Sequence, residues 1–567
     1  MSNKLKKRGQ KIVKRFSRFS EKAKQESKEH IKENFIGRLS HIRQIRLLVI
    51  EWVLLMTILI LLAIAQSFWF TDSYSVNTYI AGGAYTEGTL DKVNSMNPLF
   101  ATTSSEKTLS SLLFARLISI DYSGNPNGSL VHSIRSTDNG KVWTITLREN
   151  LKWSDNEPIT NDDVIFTINL IKNPVVNSIY SSNFASVKVS ENEDHEIVFT
   201  LPSPYADFSS ALNVPILPKH ILENADPKTL VEHQFSTKPV TSGAFTYNAT
   251  QVLSDEGEKV IYLSANPNYY KGQPLLNSFA IHTFLTQESL VSALNSGAIT
   301  ATAELTPNDK KLITNSSINE HQALVNTGVY AFFNMNGIFS NRDLRKAIQK
   351  GINIEKIRSN IENVRGLNYP LIDSQITLEN FPALPDYSPD TAKALVYNYL
   401  ESKPENSTIQ LVTINKGTVP TIADSFANEL RNLGFNVNLS VYNENQDFIT
   451  STLSNREYDI LIYPIELGSD PDLVAYYHSS QATNTGHNFS NYKNTIVDDI
   501  ILSARETTDE STRVSKYETF LKYWVDDAPA IGLYQTNISY FYNRNVRSFS
   551  NDSRLVTALD RFSKVPR

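Results

Sequence analysis

The stretch SIRSTDNGKVWTITLRENLKWSDNEPITNDDVIFTI, residues 133–168, says most about the fold. The DNG at 138–140 is a signal for a β-hairpin turn. In residues 142–147, large apolar side chains at 143, 145 and 147 alternate with Val and Thr, which predicts a half-buried strand. Thr160 is followed three residues later by Asp163, so these two residues predict a capping box at the start of a helix. A hairpin and a capped helix therefore follow one another within 36 residues.

The same alternation of strands and helices continues along the chain. Ser340 is the predicted N-cap of a helix whose apolar stripe comprises Leu344, Ala347, Ile348 and Gly351. A second amphipathic helix comprises Ile422, Phe426, Leu430 and Leu433, and Gly434 is its stop. Residues 435–441 then alternate as a strand, and YDILIY at 458–463 suits a more buried strand. Helices alternating with strands predict an α/β sheet covered by helices.

The composition indicates a folded protein with several cores. The chain has 567 residues, which predicts roughly three or four domains. Apolar residues make up 41% and aromatic residues 10%, enough for several packed cores. There is no cysteine, which excludes disulfides, thiolate metal sites, a cysteine nucleophile and a lipid-modified cysteine.

The N-terminal region has the charge pattern of a membrane anchor. Residues 1–46 hold 15 Lys and Arg against 4 Glu, a balance of +11, whereas the whole chain carries −5. Residues 47–65 are apolar except for Glu51, and as a helix they would span roughly 28 Å, close to the hydrocarbon core of a bilayer. The aromatic residues at 68–70 would lie at the interface. Because basic segments stay inside, the chain from about Gln66 onward is expected outside the cytoplasmic membrane.

Two alternatives apply to this region. The small residues at 63–65 could be the cleavage site of a signal peptide, but the basic segment is far longer than an ordinary n-region. The basic arm could bind nucleic acid. Attraction to anionic lipid head groups is the favoured interpretation, because the adjacent span already brings the arm to a membrane.

The stretch at 133–168 resembles the family 5 extracellular solute-binding proteins, the oligopeptide- and dipeptide-binding group. Ile134 stands where this family usually has Trp, and Glu157 stands where it usually has a second Gly. Further segments resemble the family in the same order: MNPLFATTSS (96–105), ANPNYYKGQPLLNSFAI (265–281), SALNSGAITAT (292–302), YAFFNMNGIFSNRDLRKAIQKGINIEKI (330–357) and DAPAIGLYQTNISYFYNRNVRSF (527–549).

The resemblance implies a type II periplasmic-binding-protein fold, in which two α/β lobes flank a cleft and one lobe carries an extra subdomain. Crossings between the lobes are expected near 325–332 and 525–532. The expected divisions are a cytoplasmic arm (1–46), a transmembrane anchor (47–70), lobe I in two segments (78–104 and 216–329) around its subdomain (105–215), lobe II (330–527) and a closing segment of lobe I (528–567).

The resemblance also implies a peptide ligand. Members of the family commonly place an Asp in a W-x-x-D-Y-x-x-P run of the second lobe, where it holds the amino terminus of the peptide. The corresponding stretch here is YPIELGSDPD (463–472). Tyr463 falls at the Trp and Glu466 at the Asp, and Asp470 and Asp472 follow. These four residues are predicted ligand contacts, although Tyr463 equally suits a packed core position.

A second candidate contact is the segment GGAYTE (82–87), expected as a loop that follows the first strand. The family uses this loop to line the cleft, and two glycines let a backbone approach a ligand closely. Tyr85 and Thr86 are therefore predicted ligand contacts. The glycines could also serve only a turn.

No enzyme signature is present. The sequence has no H-E-x-x-H or G-x-S-x-G run, and no catalytic residue, protein metal site or cofactor is predicted. The predicted function is the substrate-binding component of an ABC importer, a monomer that closes on an oligopeptide and delivers it to permease subunits. The alternative is a membrane-anchored sensor, adhesin or foldase that uses the same fold without transport.

Overall fold

The computed structural model describes residues 46–74, 82–120, 126–184, 186–305, 307–361, 364–443 and 447–546, together with 554–555 and 559. The predicted basic arm, apart from Arg46, lies outside the described residues. The chain divides into two compact units, Met1–Tyr79 and Ile80–Arg567. Each unit is described by itself.

The described part of the first unit is one helix, α1 (Arg46–Tyr74). It contains the apolar run for which the sequence predicts an anchor, and the large apolar side chains between Ile50 and Ile64 are exposed. Judged by length and hydropathy, none of the helices in the described part of the chain qualifies as a membrane span. The anchor at 47–70 is therefore not confirmed.

The second unit contains strands and helices in alternation. Its strands are β1 (Ala84–Thr89), β2 (Ile118–Ile120), β3 (Pro126–Gly128), β4 (Val131–Thr137), β5 (Val142–Leu147), β6 (Lys188–Glu191), β7 (Ile197–Thr200), β8 (Phe245–Val252), β9 (Lys259–Ala265), β10 (Ser278–Thr283), β11 (Ala301–Thr302), β12 (Ile318–Phe333), β13 (Arg365–Gly366), β14 (Thr408–Ile414), β15 (Asn436–Tyr442), β16 (Ile460–Glu466), β17 (Ala530–Asn543) and β18 (Arg554–Leu555). Its α-helices are α2 (Ser104–Leu113), α3 (Asn161–Lys172), α4 (Ser181–Phe184), α5 (Phe208–Ala211), α6 (Lys219–Leu222), α7 (Gln287–Ser296), α8 (Arg342–Gly351), α9 (Ile354–Arg358), α10 (Pro389–Ser402), α11 (Val419–Leu433), α12 (Val474–Tyr477), α13 (Thr495–Glu506) and α14 (Glu510–Asp527).

Most strands join one large mixed sheet. Its order is β15-β14-β16-β12-β17-β11-β1-β10-β9-β8, with β13 beside β17 and β18 beside β12. Strands β15, β14 and β16 are parallel, and so are β11, β1 and β10. Between these two parallel groups, β12 and β17 run antiparallel to each other and to their other neighbours along this order. The predicted α/β class is therefore confirmed.

The long strands β12 and β17 connect the two parallel groups. Residues 318–324 of β12 pair with 537–543 of β17, and the pairing resumes from Gly328 opposite Gln535. The intervening residues 325–327 are out of register with β17. Here side chains replace part of the ladder, because the Gln535 amide donates to the carbonyl of Val325 at 3.0 Å. The sheet is thus irregular where its two halves meet.

Separate cores lie on either side of that junction. In the C-terminal part of β12, Tyr330 and Phe332 belong to one buried cluster, and Val329, Ala331 and Phe333 belong to another. Side chains of a strand alternate between the two faces of a sheet, so helices cover both faces of this half. A further core gathers buried residues between Tyr85 and Ala301. It includes the four-stranded sheet β4-β5-β7-β6.

The local predictions for residues 133–168 are confirmed, as is the predicted stop of a later helix. Residues 138–140 connect β4 to β5, with Asn139 at a positive φ of 53°. The capping box of Thr160 and Asp163 begins α3, whose stripe of Val164, Ile168 and Ile171 is buried. Gly434 ends α11 in the left-handed region.

Two local expectations are wrong. The N-cap of α8 is Asn341 and not Ser340, because the Asn341 side chain accepts from the backbone N–H of Leu344 at 3.0 Å. The segment 82–87 is not a loop after the first strand. From Ala84 onward it is the strand β1 itself, which lies inside the sheet between β10 and β11.

Candidate ligand-binding site

A cavity of about 2400 Å³ lies between the two halves of the large sheet. We call the lining residues from 87 to 305 the first wall and those from 416 to 489 the second wall. Val325 and Thr327 of β12 and Thr536 of β17 also line the cavity, between the two walls. Small-molecule sites usually have about 300–1,000 Å³, so this cavity has room for a larger ligand.

Strand ends bring the charged residues to the cavity. Glu466 is the last residue of β16, and Lys416 follows the neighbouring parallel strand β14 by two residues. The carboxyl ends of parallel strands meet at one edge of a sheet, which is the usual binding edge in α/β proteins. On the other side, Glu87 and Thr89 lie at the carboxyl end of β1.

Glu466 connects the two walls. Its Oε1 accepts a hydrogen bond of 2.8 Å from the Nζ of Lys107, which lies on α2 in the first wall. The Glu466 side chain is 63% exposed, so it is accessible from the cavity. The Lys107 ammonium, as the main cause, holds the pKa of Glu466 below its ordinary value. Glu466 is therefore a carboxylate that stays ionised at neutral pH.

Asp470 and Asp472 line the cavity but face arginines. Asp470 forms an ion pair with Arg513 of α14. Asp472 Oδ2 lies 3.6 Å from Arg505 Nη2 and accepts a 3.4 Å hydrogen bond from the phenol of Tyr205 in the first wall. Burial raises the pKa of Asp470 to about 6. The hydrogen bond from Tyr205 to Asp472 joins the two walls, and whether either carboxylate also contacts a ligand stays a prediction.

Tyr463 both lines the cavity and packs. Its ring centroid lies 5.5 Å from that of Phe489 and 6.4 Å from that of Phe448. The side chain is half-buried on β16. An aromatic ring in this position can stabilise the second wall and present an edge to a ligand.

Tyr85 and Thr86 are not among the residues that line the cavity. Tyr85 is buried, and its phenol donates to Glu87 Oε2 at 3.1 Å. The backbone N–H of Thr86 donates to the Thr300 hydroxyl at 3.1 Å. Thus β1 presents Glu87 and Thr89 to the cavity, whereas Tyr85 precedes them on the same face of the strand.

Sequence reasoning missed several charged residues of the site. Lys107 carried no pattern that would single it out, since its partner is 359 residues away. Glu304 of the first wall accepts from the Thr89 hydroxyl at 3.1 Å, and burial, followed by the charge of Asp91, raises its pKa to about 7. Glu87 lies in the segment GGAYTE (82–87), and its position two residues after Tyr85 places both side chains on the same face of a strand.

Metal binding has no visible basis in the described residues. Within them, no group of three or more His, Asp and Glu side chains is arranged to hold a metal ion. The lining of the cavity instead consists of two walls that carry charged residues and tyrosines.

Comparison with known proteins gives a consistent result. Residues 125–487 match the family described as bacterial extracellular solute-binding proteins, family 5. The oligopeptide-binding protein AppA of Bacillus subtilis is 25% identical over 492 residues, covering 80% of this chain and 87% of that protein.

Solved structures share the fold. The structure of AppA from Bacillus subtilis in complex with a nonapeptide has a TM-score of 0.74 at 22% identity, covering 85% of this chain and 99% of that one. The structure of NikZ from Campylobacter jejuni in complex with Ni(L-His) has a TM-score of 0.70 at 23% identity, covering 82% and 94%. Since the family model spans nearly two thirds of the sequence, this chain belongs to the family 5 bacterial extracellular solute-binding proteins.

Proposed function

We propose that this chain is the extracytoplasmic peptide-binding component of an ABC importer, which captures an oligopeptide between its two walls and delivers it to permease subunits. The observation that carries the proposal is the cavity of about 2400 Å³ lined by both halves of the sheet. An extended peptide needs such a volume and partners along its length. The walls supply tyrosines, carboxylates and lysines from separate elements.

The proposed motion is a hinge closure about β12 and β17. The out-of-register residues 325–327 and the opposing Thr536 interrupt the β12–β17 ladder, so these two strands can change their relative orientation here without breaking hydrogen bonds of that ladder. This segment overlaps the first expected crossing at 325–332 and lies just beyond the second at 525–532. In this proposal, lobe I comprises residues 78–329 with the closing segment 528–567, and lobe II comprises 330–527.

We expect compaction on peptide binding. A ligand that contacts both walls only when they are close shifts the population toward the closed form. Reversing the ratio of closed to open protein from 1:99 to 99:1 requires about 5.5 kcal/mol of differential binding. Small-angle scattering of residues 80–567 should show a smaller radius of gyration with a saturating nonapeptide, at unchanged far-UV circular dichroism. A nonapeptide that binds to an open protein without changing this radius would contradict the hinge closure.

Glu466 is the proposed ligand of the peptide amine. Its carboxylate is ionised, exposed to the cavity and already bound to an ammonium group. The predicted contacts Tyr463, Asp470 and Asp472 line the same cavity, and they are proposed to contact the peptide beyond its amino terminus.

We expect Glu466→Gln to weaken the binding of a free-amine nonapeptide by about 1–2 kcal/mol, because a charged hydrogen bond is replaced by a neutral one. Isothermal titration calorimetry measures the difference. The N-acetylated peptide of identical sequence is the matched control, and both proteins should bind it alike. If the free-amine peptide also binds both proteins alike, its amine is bound elsewhere.

The proposed location is the cytoplasmic membrane, with a single span and the large C-terminal region outside. The support is in the sequence: 15 basic residues in 1–46 followed by the apolar run 47–65. In this proposal the basic arm also attracts anionic lipid head groups.

We expect protease added to intact protoplasts to degrade the region after residue 80 and to leave the basic arm protected. Immunoblotting with an antibody against residues 1–46 would detect the protected fragment. Lysed protoplasts are the control, in which the fragment should disappear. A mature protein that starts at Gln66 would show instead that the apolar run is removed.

A further inference from the structure

Lys107 is held in place by the start of its helix. Thr103 and Glu106 form a capping box at the beginning of α2. The Glu106 carboxylate also accepts the backbone N–H groups of Asn94 and Ser95, at 2.8 and 3.2 Å. The helix is therefore attached to the segment after β1, and Lys107, the next residue, projects from a fixed base into the cavity.

Its partner Glu466 has an equally fixed base. Glu466 ends β16 and pairs in register with Thr327 of β12. Its carbonyl oxygen accepts a 2.8 Å hydrogen bond from the phenol of Tyr476. The 2.8 Å contact between Lys107 Nζ and Glu466 Oε1 therefore joins two rigid elements on opposite walls.

The surroundings of Glu466 are cationic. Besides Lys107, the charges of Lys416 and Arg116 stabilise its ionised form, and both of these residues line the cavity. A ligand amine that approaches Glu466 therefore meets a carboxylate that the chain's own ammonium has already bound.

We propose that Lys107 is a latch and a specificity residue: its ammonium takes the position at Glu466 that a ligand amine would take, draws the walls together, and exchanges with that amine on binding. The exchange of Lys107 with a ligand amine rests on the proposed function. The latch rests only on the contact between Lys107 and Glu466. After exchange, the released Lys107 ammonium can donate to carbonyl or carboxylate oxygens of the ligand.

The two walls are also joined by the 3.4 Å hydrogen bond from the Tyr205 phenol to Asp472 Oδ2, and residues beside this bond add further contacts. The backbone N–H of Ala206 donates to the carbonyl of Arg505 at 3.0 Å, and the Arg505 guanidinium lies 3.9 Å from the ring centroid of Tyr205. Loss of Lys107 should therefore reduce closure and not abolish it.

The test measures the distance between the walls without added peptide. The chain has no cysteine, so Ser296→Cys on α7 and Asn398→Cys on α10 provide two exposed labelling positions. The full-length protein is unfolded and refolded to remove bound ligand, spin-labelled, and studied by double electron–electron resonance. In 50 mM salt, Lys107→Met and Glu466→Gln should each lower the ratio of short to long distances by about two- to fivefold, the range for an exposed ion pair.

Three controls isolate the ion pair. Lys107→Arg keeps a cation and should retain most of the short distance. Lys172→Met removes another lysine that lines the cavity and should leave the ratio unchanged. Salt at 1 M should lower the ratio in the unsubstituted protein but not in Lys107→Met, because screening acts on the ion pair. An equal ratio in Lys107→Met and the unsubstituted protein, or an equal loss in Lys172→Met, overturns the latch.

The exchange is tested separately with a free-amine nonapeptide and its N-acetylated form. Lys107→Met should bind the free-amine peptide about two- to fivefold more tightly relative to the acetylated one, because the competing ammonium is gone. An unchanged ratio of affinities overturns the exchange. If neither peptide binds any of the proteins, the proposed function fails, and the distance measurement still decides the latch.

Discussion

Arg513→Met is expected to lower the free energy of unfolding by about 3–5 kcal/mol at pH 7, since it leaves a buried carboxylate without its cation. The side chains of Asp470 and Arg513 are only 11% and 18% exposed. Asp207 and Asp472 lie near enough to oppose the ionisation of Asp470. Without Arg513, three carboxyl groups would remain close together with Arg505.

The size of this loss should depend on pH. Burial raises the pKa of Asp470 from 3.8 to about 6, so the folded protein binds this proton more tightly than the unfolded chain. The stabilising contribution of protonated Asp470 is complete below pH 3.8 and is lost as the pH rises through about 6. In Arg513→Met the Asp470 carboxyl protonates more readily still. The free energy of unfolding that this variant loses, relative to the unsubstituted protein, should therefore be smaller at pH 5 than at pH 7.

Urea unfolding at pH 7 and pH 5 measures both effects. The double variant Arg513→Met with Asp470→Asn is the matched control, because it removes the carboxylate together with its partner and should regain most of the loss. An Arg513→Met protein as stable as the unsubstituted one at pH 7 would contradict a buried ion pair at this position.

Trp153→Ala is the second substitution with a large expected effect, also about 3–5 kcal/mol, the usual range for removal of a buried aromatic side chain. Trp153 is fully buried in the core that gathers residues between Tyr85 and Ala301. Its backbone N–H donates to the Glu157 carbonyl at 2.8 Å, and its carbonyl accepts from the Asn268 amide at 2.9 Å. Because these backbone bonds hold the turn in place, the site cannot easily collapse into the space left by the ring.

Urea unfolding at pH 7 again gives the difference. Trp153→Phe is the control, since it keeps an aromatic ring and loses only the 3.5 Å hydrogen bond from the indole to Asp163 and part of the volume. It should cost less than half as much as Trp153→Ala. A loss below 1 kcal/mol for Trp153→Ala would mean that the core repacks around this position.

The parts of the fold that sequence reasoning predicted correctly depend on neighbours in the chain. The turn at 138–140 and the capping box of Thr160 and Asp163 involve residues within four positions of one another. The stripe of α8 was likewise predicted from its periodicity. Its N-cap was predicted one residue early, because Ser and Asn are both good caps and only the backbone geometry chooses between them.

The site was predicted less completely, because a residue type does not say what faces it. Glu466, Asp470 and Asp472 all reach the cavity. The sequence could not distinguish the exposed carboxylate of Glu466 from that of Asp470, which Arg513 holds in a buried pair. For β1, the predicted contacts Tyr85 and Thr86 do not line the cavity, whereas Glu87 and Thr89 of the same strand do.

By itself, the sequence determined the α/β class, the local elements and the resemblance to a family, because these depend on periodicity, caps and ordered motifs along the chain. Only the tertiary structure decided which charges meet. Lys107 and Glu466 are 359 residues apart, and they come within hydrogen-bonding distance because β12 and β17 carry the chain between the two halves of one sheet. The physical reason is that the energy of an ion pair depends on distance and exposure in space, and neither quantity is encoded in the spacing of residues along the chain.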